Sequence, residues 1–226
     1  MPDTVAVFVR AVMLALATLL PLINPPGSAP IFLSMTPGSS DAERTALAVR
    51  VARNSFVLLV VAMLAGSYVL IFFGLSLPVV KIAGGLLVIA TAWHLIRSDP
   101  SPDTTIPTPS PTGRDHELGS HSFYPLTFPI TIGPGSISVA MTLGAGARDG
   151  EVAEVTRMLG VVLGIVLVSS TVYLCYRFAA RLLRALGRNG TGVLLRLSAF
   201  ILLSIGVQIL CDGVAERFGI PAVPSR

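Results

Sequence analysis

Charged residues are scarce in this chain. They make up 12% of its 226 residues, whereas hydrophobic residues make up 53%. Because a soluble domain carries about 25% charged residues, this chain cannot cover a water-exposed surface with charge. Its apolar runs reach about 18 residues or more, which is the length that crosses a hydrocarbon core. They are continuously apolar and do not alternate with period two, which favours spanning helices over a barrel.

Residues that usually carry chemistry are also few. The two cysteines, Cys175 and Cys211, lie in apolar segments where small core residues are expected, and their spacing fits no metal site. No Asp or Glu lies well inside an apolar segment, although proton-coupled carriers often use a buried carboxylate. The sequence contains no phosphate-binding loop, zinc-protease helix motif or nucleophile elbow. We therefore expect neither enzyme activity nor a metal or other cofactor, and only H⁺ or Na⁺ stays open as a coupling ion.

The net charge of +4 does not indicate nucleic acid as a partner. The arginines lie at the ends of apolar segments, where basic residues orient membrane proteins. The apolar N-terminal stretch follows Asp3 rather than a basic residue, and it runs into Asn24 and Pro25 without a small-x-small cleavage pattern. It therefore predicts a first membrane helix and not a cleaved signal peptide.

A polar linker divides the chain into two halves. Residues 98–121 contain five prolines and eight serines or threonines and almost nothing apolar, which is typical of a flexible, solvated segment. We therefore predict a first unit at 1–97, a cytoplasmic linker at 98–121 and a second unit at 122–226. Each unit contains three apolar spans, of which the first is broken. The six predicted spans lie near residues 5–35, 56–73, 79–96, 122–147, 158–176 and 194–211.

A proline-glycine break occurs once in each half. The two copies are residues 21–28 (PLINPPGS) and residues 129–136 (PITIGPGS). When the chain is displaced by 108 residues, seven of 23 positions around the breaks are identical, whereas about one or two are expected by chance. Because each half has an odd number of spans, the second is predicted to be inverted relative to the first. The predicted fold is all-α, with six transmembrane helices in two inverted three-helix repeats, each beginning with a broken helix.

Basic residues predict the orientation of this arrangement. Ten of the 16 arginines and lysines fall in the connections between spans 1 and 2, 3 and 4, and 5 and 6, and the other six fall on the opposite side. Because basic residues accumulate in cytoplasmic connections, the first side is predicted to be cytoplasmic. Both termini are then predicted to lie outside.

The paired breaks predict a binding site. Proline removes a backbone donor and glycine permits close approach, so the breaks should unwind their helices near mid-membrane, the first over residues 24–30. Half-helix N-termini favour an anionic group and unwound carbonyls favour an ammonium group, so the expected ligand is a small zwitterionic solute. The alternative is that the breaks are kinks satisfied by neighbouring helices. The residues predicted to bind the solute are Asn24, Pro25, Gly27, Ser28, Gly133, Pro134, Gly135 and Ser136.

Other candidates carry weaker signals. Gly160 and Gly164 form a small-xxx-small pair that predicts close helix packing, within the chain rather than in a dimer. Trp93 is interpreted as an interfacial anchor. The neighbouring His94 is the one histidine outside the linker region, so a proton-carrying role stays open for it.

Several motifs resemble those of the MarC family of integral membrane proteins. They are residues 24–32 (NPPGSAPIF), Glu43-Arg44, residues 73–76 (FGLS), residues 82–86 (IAGGL) and residues 129–136. The resemblance extends across the chain except for the linker. Pro26 stands where the family usually has an aliphatic or small residue, which makes the first break stiffer and more like the second. The resemblance implies a six-helix inner-membrane protein of a bacterium or archaeon, grouped with small neutral amino acid transporters.

The repeat and the resemblance together favour an ion-coupled secondary carrier. Its expected substrate is a small neutral amino acid such as glycine, alanine or serine. An exporter of metabolites or drugs, and a non-transporting membrane scaffold or stress-response protein, are the alternatives. Membrane lipids are expected partners, and a homo-oligomer is left open.

Overall fold

The computed structural model describes residues 4–36, 38–97, 122–145 and 151–219, and every regular element in them is helical. The predicted linker at 98–121 lies outside these residues. The helices are α1 Thr4–Ile23, α2 Pro25–Ser34, α3 Asp41–Phe72, α4 Leu77–Arg97, α5 Ser122–Thr131, α6 Pro134–Gly144, α7 Glu151–Arg177 and α8 Ala179–Phe218.

Five spans in the described residues are long and apolar enough to cross a membrane, and a bent pair supplies a sixth if it counts as one span. The pair is α5 and α6, which meet at 75°. The first span joins α1 and α2 and covers Thr4–Ser34. The last candidate span is Gly190–Phe218, and it begins just after Gly187, where α8 leaves helical geometry. The all-helical membrane fold is therefore as predicted.

The first break is narrower than predicted. Helix α1 ends at Ile23 and α2 begins at Pro25, so only Asn24 leaves the right-handed helical conformation, at φ 47° and ψ 59°. The predicted unwinding over residues 24–30 is therefore wrong. Proline is tolerated in the first turn of a helix, because the N–H groups of that turn have no carbonyl partner within the helix. Asparagine in turn tolerates the left-handed conformation better than most residues.

The second break is wider than the first. Tyr124 and Phe128 have extended backbone inside α5, at φ −118°, ψ 127° and φ −122°, ψ 127°. Each precedes a proline, whose ring disfavours the helical conformation of the residue before it. The Thr131 hydroxyl bonds the carbonyl of Leu126, five residues back, at 2.6 Å. Helix α6 begins only at Pro134, so the break predicted in the second half of the chain is a true bend between two helices.

Glycines bring α4 and α8 into close contact. A Cβ built on Gly85 would lie 2.7 Å from the backbone N of Leu210 and 2.9 Å from the carbonyl oxygen of Gly206. Since these are backbone atoms, they cannot move aside without separating the helices. The Lys81 Nζ lies 2.7 Å from Glu216 Oε2 further along the same interface. The two helices therefore run antiparallel, with small residues between them.

The small-xxx-small pair of α7 packs against α1. A Cβ on Gly160 would lie 2.7 Å from the carbonyl oxygen of Phe8 and 2.8 Å from the Cβ of Ala11. A Cβ on Gly164 would lie 2.5 Å from the Cβ of Ala15. The prediction that this pair packs within the chain is confirmed.

The buried core is built from both halves of the chain. Phe32 of the first half and Tyr176 of the second stack with ring centroids 4.5 Å apart, and Leu59 and Ile165 belong to the same cluster. Apart from α7 with α8, every pair of helices in substantial contact within the described residues joins one half to the other. Those pairs are α1–α6, α1–α7, α1–α8, α2–α5, α2–α7, α2–α8, α3–α5, α3–α6, α3–α7, α4–α6 and α4–α8.

Two arginines close the outer ends of the short inner helices. The Arg44 Nη2 donates to the carbonyl oxygen of Thr36, just past α2, at 3.2 Å. The Arg157 Nη1 donates to the carbonyl oxygen of Leu143, in the last turn of α6, at 2.6 Å. The last carbonyls of a helix have no partner within it, and a cation there is favourable for the helix dipole as well. Each inner helix is therefore tied to the long helix that follows it.

Candidate functional site

A cavity of about 300 Å³ lies between the two breaks. Its walls come from α1, α2 and α4 of the first half, and from α5, α6 and α8 of the second. Seven of the eight sequence-predicted site residues lie on its wall, namely Asn24, Gly27, Ser28, Gly133, Pro134, Gly135 and Ser136. Pro25 is buried but is not among the lining residues. The structure thus brings both breaks to one space, which we call the central cavity.

At the N-terminus of α2, no N–H of the first turn is available to a ligand. Pro25 and Pro26 have no N–H, and the N–H of Gly27 donates to the Asn24 Oδ1 at 3.3 Å. The Ser28 N–H belongs to the helix, because it donates to the carbonyl oxygen of Asn24 at 3.0 Å. The Ser28 hydroxyl donates to the same carbonyl at 3.1 Å. The first half-helix therefore satisfies its own donors.

At the N-terminus of α6, donors stay available. The N-terminal capping residue is Gly133, which has no side chain, so no side chain caps this helix. Pro134 has no N–H, but the N–H groups of Gly135 and Ser136 have no partner among the described residues. The hydroxyl of Ser136 also has none, although the residue is only 2% exposed. Two N–H groups and one hydroxyl therefore meet at one end of the central cavity.

Gly135 has a packing role beside its place on the wall. A Cβ built there would overlap the Cγ2 of Val88 and lie 3.2 Å from the Cδ2 of Leu22. A side chain at this position would therefore require Val88 of α4 to move. A large substitution at Gly135 would test packing as much as binding, and Ser136 is the sharper position for a functional test.

The central cavity also has lining residues that the breaks did not reveal. Thr91, Thr131 and Ser198 add hydroxyls, and Val88 and Leu202 add apolar surface. The Thr131 and Tyr176 hydroxyl oxygens lie 2.7 Å apart behind this wall. In the sequence, Thr91, Thr131 and Ser198 are marked only by a hydroxyl group within an apolar segment. This is a weak indication of a binding site, because such hydroxyls usually donate to a carbonyl of their own helix.

His94 lines the central cavity as well, beside Thr91 on α4. Both residues are exposed, whereas Ser28, Thr131, Gly135 and Ser136 are buried. The cavity therefore extends from the two breaks toward the C-terminal end of α4. Among the described residues that line it, His94 is the one titratable side chain.

A second recess of about 410 Å³ lies between α3 and α7. Val49, Phe56 and Val166 give it mostly apolar walls, and Arg53 and Tyr173 lie along it. Val49 and Val166 are exposed on the outside of the bundle, together with other large apolar side chains such as Tyr68 and Phe72. This recess belongs to the apolar outer surface that faces lipid.

These features define a class: an α-helical, multi-pass membrane protein in which two interrupted helices share an internal cavity. The sequence profile of the MarC family, described as integral membrane proteins, matches residues 9–218. The chain belongs to the MarC family.

Named relatives agree with this assignment over nearly their whole length. A UPF0056 membrane protein of Archaeoglobus fulgidus is 32% identical over 200 residues, which cover 88% of this chain and 90% of the relative. The UPF0056 inner membrane protein MarC of Salmonella typhimurium is 30% identical over 212 residues, which cover 92% and 95%. That of Escherichia coli is 30% identical over 213 residues with the same coverage. The predicted inner-membrane location fits these names, and no solved structure matches the chain significantly.

Proposed function

We propose that this protein is a secondary carrier for a small neutral amino acid such as glycine, alanine or serine. The observation that supports it most is the central cavity, because both proline-glycine breaks contribute to its wall. Its volume suits a ligand of a few heavy atoms, and its lining combines apolar side chains with a few polar groups, as small-molecule sites do. Paired breaks at such a position are the sequence pattern of secondary transporters.

The packing of the helices supports two inverted repeats. Exchanging the halves replaces α1, α2, α3 and α4 by α5, α6, α7 and α8. Under this exchange the pair α1–α7 becomes α5–α3, the pair α2–α7 becomes α6–α3, and the pair α2–α8 becomes α6–α4. All of these pairs are in contact, and α3–α7 and α4–α8 exchange with themselves. The pairs α1–α8 and α7–α8 are the exceptions, since neither has a substantial counterpart among the described residues. An arginine at the end of each inner helix is a further likeness between the halves, although Arg44 and Arg157 do not occupy repeat-equivalent positions.

Transport would follow from the two repeats rocking around the central cavity. The exposed lining residues lie toward the C-terminal end of α4, the side to which the arginine count assigns the cytoplasm. We therefore propose an inward-open arrangement with both termini outside. Coupling to H⁺ would use His94, and coupling to Na⁺ would use oxygen atoms of the wall or of the substrate.

Counterflow of labelled glycine, alanine and serine into proteoliposomes tests the carrier proposal. Saturable accumulation that responds to a pH or Na⁺ gradient is the expected result, and it would also name the coupling ion. Absence of counterflow by folded protein would reject it. In that case efflux assays with other metabolites would test the exporter, and pull-downs dominated by one protein would support a scaffold.

Cysteine labelling tests the assigned orientation. In a background with Cys175 and Cys211 replaced by serine, Thr91→Cys should react with a membrane-impermeant maleimide only from the cytoplasmic side. Ser76→Cys, just before α4, is the matched position at the opposite end and should react only from outside. Labelling of Thr91→Cys from outside alone would contradict the inward-open assignment. Protection of Thr91→Cys by a carried amino acid is expected in addition.

A further inference from the structure

The two half-helices differ in what they offer to a ligand, although the sequence repeats the motif at both. The second and third positions of α6 present the N–H groups of Gly135 and Ser136. At α2 the second position is Pro26, and the N–H of the third, Gly27, is occupied by the Asn24 side chain. One helix N-terminus is open to the central cavity, and the other is closed by a residue of the chain itself.

The Asn24 Oδ1 has the role that a ligand oxygen would have. It is an acceptor with a partial negative charge, and it lies within hydrogen-bond distance of the first N–H that α2 could offer, at 3.3 Å. A carboxylate oxygen at a helix N-terminus makes the same kind of contact. The left-handed backbone of Asn24 places this side chain over the end of α2.

Ser136 supplies a second and independent reason to expect a ligand at α6. Its side chain is 2% exposed and lines the central cavity, and its hydroxyl has no partner among the described residues. Because Ser136 lines the cavity and its hydroxyl is not among the fully buried oxygens, the hydroxyl is accessible from the cavity and can donate to a ligand there. Together with the N–H groups of Gly135 and Ser136, it makes three donors in the first turn of α6 that have no partner among the described residues.

We infer that the substrate carboxylate binds at the N-terminus of α6 alone, and that Asn24 fills the equivalent place at α2. The inference takes its ligand class, an amino acid, from the proposed carrier function. It fixes the orientation of the substrate, because only one end of the cavity accepts an anion. The amine is left to hydroxyl oxygens such as those of Ser198 and Thr91, which lie on the same wall. A solute without a carboxylate should bind poorly, even if its size is right.

The probes that test this are propionate, which has the carboxylate of alanine without its amine, and ethylammonium, which has the amine without the carboxylate. The measurement is the melting temperature of the purified full-length protein in detergent, titrated with each probe at constant pH and ionic strength. A ligand that binds the folded state raises this temperature in a saturable way. Propionate should do so and ethylammonium should not.

Three variants locate the propionate site. Ser136→Ala should raise the half-saturating propionate concentration about tenfold, because a hydrogen bond to a charged group is lost. Ser28→Ala, the repeat-related position, should have a much smaller effect, since that hydroxyl bonds the backbone. Ser204→Ala is the neutral control, because it removes an exposed hydroxyl of α8 that bonds its own helix.

The outcomes separate this inference from the carrier proposal. If ethylammonium stabilises the protein and propionate does not, or if Ser28→Ala weakens propionate binding as much as Ser136→Ala, the one-sided anion site is wrong, whatever the counterflow result. Saturable propionate binding that Ser136→Ala weakens, in a protein without amino acid counterflow, would keep the anion site and reject the carrier.

Discussion

Replacing Asn24 by alanine should lower the free energy of unfolding by about 2 kcal/mol. Two costs add. An alanine in the left-handed region at φ 47° is strained, because its Cβ approaches the following carbonyl. The N–H of Gly27 also loses the side-chain oxygen that accepts it, and that N–H lies where bulk water does not replace the bond freely. The measurement is the thermal or denaturant midpoint of the purified protein.

Two other substitutions at the same position separate these costs. Asn24→Gly keeps the left-handed backbone but loses the cap, so it should be milder than alanine. Asn24→Asp keeps both, and its negative charge is favourable at a helix N-terminus. We expect Asn24→Asp to fold as the unmodified protein does and yet to weaken propionate binding, because it adds a negative charge to the central cavity. A melting temperature for Asn24→Ala equal to that of the unmodified protein would show that Asn24 does not cap α2.

Replacing Gly85 by valine should prevent α4 and α8 from packing. Even the first added carbon would lie within 3.0 Å of three backbone atoms of α8, including the Leu210 N at 2.7 Å. Overpacking a protein interior usually costs roughly 1–3 kcal/mol, and more is expected here because whole helices must separate. The measurement is the yield of monodisperse protein after detergent extraction, followed by its melting temperature.

Gly192→Ala is the matched control in α8. A Cβ built on Gly192 meets no other atom within 4 Å. Since alanine is the better helix former by about 1 kcal/mol, this variant should fold at least as well as the unmodified protein. Normal extraction and melting of Gly85→Val would contradict the close approach of α4 to α8.

The sequence predicted the helical membrane fold because the apolar runs are long and the charges sit at their ends. It also located part of the cavity wall, because proline and glycine mark the two breaks locally in the sequence. The extent of the first break could not be predicted, because it depends on whether Asn24 adopts the left-handed conformation. That choice in turn depends on the bond between its side chain and the N–H of Gly27.

The asymmetry between the breaks was also hidden in the sequence. When the two halves are aligned at an offset of 108 residues, Pro26 is paired with Pro134. Helix α2 nevertheless begins one residue before Pro26, at Pro25, whereas α6 begins at Pro134 itself. This one-residue difference decides which N–H groups stay available. Thr91 and Ser198 join the cavity only through the packing of α4 and α8, which no local pattern describes.

The interlocking of the two halves has a consequence for how the protein is made. The first half leaves the ribosome before any of its main packing partners exists, because α1, α3 and α4 pack against helices of the second half. Until α6 and α8 enter the bilayer, lipid chains must fill the grooves along Gly66 and Gly85, where Met141 and Gly206 later approach. Assembly is then the moment at which lipid leaves these grooves. Two separately synthesised halves, inserted into one membrane, carry all the surfaces needed to find each other.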